Sequence, residues 1–131
     1  MTRGRAILFA SLAAAGALSA TGLAPGAAPA HSVLVRSEPG RNVTVTRAPE
    51  HVMLWFTERI EPAYAKLSVW SESGKQVDAG DAAVAPDDPA LLSVSTPGLG
   101  PGRYTVRFRV LSVDGHVVES SFAFSVKAAL R

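Results

Sequence analysis

The chain has 131 residues, enough for one domain, and is 47% hydrophobic and 18% charged with 11 Gly and 9 Pro, a globular balance that excludes disordered, collagen-like and coiled-coil classes. It has no cysteine, which removes disulfides, thiolate metal sites, iron–sulfur clusters and cysteine nucleophiles. The net charge of +2 comes from one end: Arg3 and Arg5 lie in residues 1–30, which hold no acid, and the other 11 basic residues face 11 acidic ones, so no nucleic-acid partner is expected.

Residues 1–30 read as a signal peptide. Arg3 and Arg5 are followed by an uncharged apolar run over residues 6–20, and Ala28-Pro29-Ala30 puts small residues at −3 and −1 of a cut before His31. The run is shorter than the roughly 20 apolar residues of a membrane span. A cut after Ala24 or Ala27 is the alternative. Residues 31–131 then form one exported domain.

Period-two patterning runs through that domain. A short strand is expected before Ser37-Glu38-Pro39-Gly40, which reads as a turn. Val52, Leu54 and Phe56 share one face of a strand, and Leu67 and Val69 share another, with Trp70 opposite. Ser71-Glu72-Ser73-Gly74-Lys75 reads as a hairpin connection, residues 78–89 as a surface loop and residues 97–102 as a loop. Tyr104, Val106, Phe108 and Val110 alternate with Thr105, Arg107 and Arg109. Arg103, Arg107 and Arg109 read as a solvated strip with no aromatic interleaved. Phe122, Phe124 and Val126 alternate with Ala123, Ser125 and Lys127. About seven short strands in an all-β chain predict an antiparallel, immunoglobulin-like β-sandwich. A small barrel is the alternative, because periodicity does not separate a closed sheet from two packed ones.

Two features carry metal chemistry. As the first residue after cleavage, His31 offers its α-amine and ring Nδ1 as a six-membered chelate, and an amine of pKa roughly 7.7–8.0 loses its proton readily to a metal. Asp114-Gly115-His116 is the second feature. On an extended segment residues i and i+2 point the same way, so carboxylate and imidazole could converge on one ion, with Gly115 leaving room between them. The plainer reading is an Asp-Gly hairpin turn. Together His31, Asp114 and His116 supply one amine, two imidazoles and one carboxylate. Such nitrogen and oxygen donors suit Cu(II), with zinc the competitor. His51 reads as a solvated strand end, Trp55 and Trp70 as packing, and Asp87-Asp88 as a loop charge pair. No nucleophile elbow or phosphate loop is present.

An exported chain opening at His31 is followed by Ser37-Glu38-Pro39, and then by Ala48-Pro49 with Val52, Leu54 and Phe56-Thr57-Glu58. Later come Gly102, Tyr104-Thr105-Val106, Arg109-Val110, Ser112, Asp114-Gly115-His116 and the alternating Phe122, Phe124 and Val126. In this order the residues resemble the CopC-type copper-resistance proteins. The resemblance implies a Greek-key β-sandwich that binds Cu(II) in the periplasm or its equivalent, with His31, Asp114 and His116 as ligands. It places Glu58 near the ion as a supporting residue. It implies a non-catalytic, monomeric copper carrier or buffer, with a separate membrane copper transporter of the CopD type as receiver. Some relatives hold Cu(I) in methionine-rich loops, whereas here Met53 is the one methionine after residue 30. Two other functions fit parts of the pattern. One is a copper-dependent oxidative enzyme with a histidine brace, the other a metal-free interaction module.

Overall fold

A computed structural model describes residues 33–128. They contain eight strands: β1 (Leu34–Glu38), β2 (Thr44–Val45), β3 (His51–Phe56), β4 (Lys66–Ser71), β5 (Ala83–Ala85), β6 (Asp88–Ser95), β7 (Gly102–Leu111) and β8 (Val117–Val126). One sheet has the order β1-β3-β6-β5 and the other β2-β8-β7-β4. All pairings are antiparallel except that of β2 with β8. The chain is therefore a two-sheet sandwich, and the barrel alternative is set aside.

The alternation seen in the sequence is the alternation of the pleat. Val52, Leu54 and Phe56 of β3, with Leu92 and Val94 of β6, face Leu67 and Val69 of β4, Tyr104, Val106, Phe108 and Val110 of β7, and Phe122, Phe124 and Val126 of β8, all buried. Each such side chain contributes roughly 1.5–3 kcal/mol by leaving water. Across the sheets the Phe56 and Phe108 rings meet edge to face at 5.6 Å. Within the second sheet Tyr104 stacks on Phe124 at 5.5 Å, and its hydroxyl donates to the Gly100 carbonyl at 2.6 Å, pinning the loop that precedes β7.

Four local expectations are corrected. Ser37 and Glu38 belong to β1 and are not a turn. Residues 78–89 are not simply a loop, since β5 and the start of β6 lie within them. Two side chains fix that stretch: Asp78 accepts from the Val69 and Gly80 amides at 2.9 Å each, and Asp81 accepts from the Ser95 amide at 2.8 Å and hydroxyl at 2.6 Å. β2, of two residues, adds a strand that period-two patterning is too short to reveal. The arginine strip does have an aromatic neighbour. Trp70, paired with Thr105 on the adjacent strand, lies under the Arg107 guanidinium at 5.2 Å. Trp55 lies likewise under Arg36 at 4.5 Å on the other sheet.

Candidate metal centre

The longest ladder in the molecule, β7 with β8, closes at the Leu111–Val117 pair and leaves residues 112–116 as its loop. Two backbone bonds make the loop: Ser112 N–H donates to the His116 carbonyl and Gly115 N–H to the Ser112 carbonyl, both at 2.9 Å. Gly115 has φ +91°, and a Cβ added there would meet nothing within 4 Å. Glycine therefore serves the left-handed backbone here, not the space between its neighbours. This corrects the extended geometry expected for Asp114-Gly115-His116. A hairpin turn, and not a strand, brings the two side chains together.

They meet closely. His116 Nδ1 lies 3.1 Å from Asp114 Oδ1, and the His116 amide lies 3.3 Å from the same oxygen. The Ser112 hydroxyl also donates to Oδ1. That hydroxyl, then the His116 side chain, holds the Asp114 carboxyl below its ordinary pKa against a partial desolvation that acts the other way. Asp114 is thus a carboxylate at neutral pH. Carboxylate and imidazole are donors for a borderline divalent ion such as copper or zinc.

The same end of the sandwich receives the start of the described chain. Val33 N–H donates to Thr57 Oγ1 at 2.9 Å, and Thr57 N–H returns a bond to the Val33 carbonyl at 2.9 Å. Two residues on, the Arg59 carbonyl accepts from Val113 N–H at 3.1 Å, and Glu61 N–H donates to the Leu111 carbonyl at 2.8 Å. Ile60 bridges Ser112 between them. Residues 57–61 therefore hold the first described residue on one side and the Asp114–His116 loop on the other. Glu58 lies half-buried within that run.

His31 lies outside the described residues. It is two positions before Val33, with Ser32 between them, a span of at most about 7 Å. Among the described residues no group of three or more His, Cys, Asp or Glu gathers in one place. Asp114 and His116 form a pair of donors there. His51 stands elsewhere, at the far end of β3, five residues or about 17 Å from Phe56. Its Nδ1 lies 3.5 Å from the Ser95 hydroxyl. Met53 is also in β3, away from the loop. Reading the residues alone gave no role to Ser112 or Thr57. For Ser112 the available signal was a hydroxyl two residues before an Asp, a pattern that favours side-chain bonds within a turn.

Comparison with known proteins adds the family. The family model described as "CopC domain" matches residues 34–127. Copper resistance protein C of Xanthomonas campestris pv. juglandis is 36% identical over 125 residues, spanning 91% of this chain and 98% of that protein. The crystal structure of CopC from Methylosinus trichosporium OB3b is 39% identical with a TM-score of 0.71, covering 77% of this chain and 98% of the other. PcoC of Escherichia coli, described as a methionine-rich copper resistance protein, is 30% identical with a TM-score of 0.62, covering 75% of this chain and all of the other. In contrast to that description, this chain has only two methionines, Met1 and Met53.

Proposed function

The chain belongs to the CopC family, and on that premise we propose that it is a non-catalytic Cu(II) carrier or buffer in copper resistance and homeostasis. Its copper is cargo. In this reading residues 1–30 are removed on export, and the domain that starts at His31 acts in the periplasm or at the cell envelope as a monomer. His31 contributes its α-amine and imidazole, Asp114 a carboxylate oxygen and His116 a ring nitrogen. Glu58 stands beside them without binding the ion. A separate membrane copper transporter of the CopD type receives the cargo.

One observation carries the reading. Residues 57–61 tie down both Val33, two residues from His31, and the loop that bears Asp114 and His116. The donor chemistry supports it as well. Nitrogen and oxygen ligands without thiolate or thioether match Cu(II) better than Cu(I).

The test is a copper titration of two proteins, one beginning at His31 and one with a single extra residue before it. The first should bind one Cu(II) per chain. The second should bind far more weakly, because the extra peptide bond turns the amine into a poor donor. Equal titration curves would refute the proposed ligand set. The intact mass of the exported protein checks the cut itself.

A further inference from the structure

Arg103, Arg107 and Arg109 leave β7 on its outer face, and Lys66 leaves β4 on the same face, all four exposed. Lys66 stands directly opposite Arg109 across the two strands. Like charges set opposite in a sheet are destabilising, so the packing of the fold does not ask for this arrangement. Glu119, opposite Arg109 on β8 and 3.6 Å from it, is the one acid on that face among the described residues, which leaves the face with a net charge of +3. The other described residues carry ten acidic side chains against six basic ones. The sandwich is therefore polarised, positive over one outer face and negative elsewhere. The outer face of the other sheet differs, because there the Arg36 guanidinium over Trp55 is also paired with Glu38.

Between the cations the positive face carries short side chains, Ser68, Thr105, Ser121 and Ala123. It runs about 20 Å from Arg103 to Arg109 and about 10 Å across three strands. A flat area of that size fits an extended anionic surface and not a single small anion. Trp70 favours one kind of surface. Its indole lies on the same face, with its N–H donating to the Ser68 hydroxyl at 2.9 Å and the Arg107 guanidinium 5.2 Å from the ring centre. Indole and guanidinium groups combine an apolar body with a polar tip and settle at the headgroup level of a bilayer. An acidic protein would answer the charges without using the indole.

We propose that the outer face of β4, β7 and β8 is a peripheral docking surface for an anionic phospholipid bilayer, with Lys66, Arg103, Arg107 and Arg109 toward the phosphates and Trp70 at headgroup level. The inference stands apart from the copper-binding reading. It lays β7 along the membrane, with the Asp114–His116 loop at the end of that strand.

The test uses residues 31–131, which hold the whole sandwich and its core, because the apolar run over residues 6–20 would bind lipid by itself. Vesicles of phosphatidylcholine with phosphatidylglycerol should carry the protein down on centrifugation, and vesicles of phosphatidylcholine alone should not. Raising the salt from about 0.1 M to about 1 M shortens the screening length from about 10 Å to about 3 Å and should release it. Each basic residue near such a surface is worth about fivefold, so Arg103→Gln with Arg107→Gln should weaken partitioning about 25-fold. Arg36→Gln, on the opposite sheet, should leave it unchanged. The emission of Trp70, isolated by Trp55→Phe, should shift to the blue on binding, and that of Trp55, isolated by Trp70→Phe, should stay in place. Absence of binding to the anionic vesicles, equal binding to neutral ones, full binding after both glutamine substitutions, or a shift of Trp55 in place of Trp70 overturns the proposal. Capture by soluble polyglutamate with none by vesicles also overturns it, by making the face a site for an acidic protein. The vesicle and salt measurements need no variant, so they decide the matter even if the double variant does not fold.

Discussion

Thr57→Val is the most direct probe of how the chain's start is held against the sandwich. The substitution keeps shape and removes one acceptor, Oγ1, which receives the Val33 amide at 2.9 Å. The reciprocal bond from Thr57 N–H to the Val33 carbonyl remains, so the segment should loosen and not detach. A hydrogen bond of this kind is worth about 0.5–1.5 kcal/mol net, and Val33 is 53% exposed, which lets water replace the lost partner and favours the lower half of that range. If His31 binds copper, the loosened segment must be re-ordered on binding. The whole cost then falls on affinity, about two- to fivefold at 1.4 kcal/mol per factor of ten. Competitive Cu(II) titration measures the affinity, and hydrogen exchange at the Val33 amide measures the loosening. Global stability should change little, since Thr57 lies outside the core. Faster exchange at Val33 with unchanged copper affinity would refute the idea that this end of the chain takes part in binding.

Three further outcomes are expected. His116→Ala should weaken Cu(II) more than Asp114→Ala, because imidazole is the stronger donor, while His51→Ala, about 17 Å along β3 from the relevant end, should leave the titration unchanged. Phe108→Ala, at a position 3% exposed and in edge-to-face contact with Phe56, should cost about 3–5 kcal/mol in urea unfolding. The Ser95 hydroxyl and amide lower the pKa of Asp81 in the folded state. The stability Asp81 supplies is therefore full above its unfolded pKa and lost as pH falls through the folded value. Asp81→Asn should be less stable than the unsubstituted protein at pH 7, and the two should converge in acid. A gap that persists once Asp81 is protonated in the folded and unfolded states would contradict that origin.

Much of the fold was legible because two faces of a strand demand opposite chemistry. Tyr104, Val106, Phe108 and Val110 against Thr105, Arg107 and Arg109 admit no other secondary structure. β5 was hidden because Ala83-Val84-Ala85 is small and sits at a sheet edge, where burial imposes no strong pattern. The Arg107–Trp70 contact was invisible because it depends on which strand lies next to β7. At the candidate centre the pairing of Asp114 with His116 was legible, but through the wrong geometry: periodicity has no term for the left-handed turn at Gly115. Ser112 was hidden for a related reason. A hydroxyl's importance lies in its burial and its partners, and neither is written in residue order.

The two tryptophans, Trp55 under Arg36 and Trp70 under Arg107, make the molecule its own optical ruler. Each sheet carries one. Trp55 is two residues from Thr57, about 7 Å along the chain, whereas Trp70 pairs with Thr105, six residues or about 20 Å down the ladder from Leu111. Cu(II) quenches indole emission more strongly the nearer it sits. An ion held at the loop should dim Trp55 well before Trp70, so that Trp55→Phe and Trp70→Phe proteins, each left with a single emitter, report by light alone which end of the sandwich the metal occupies.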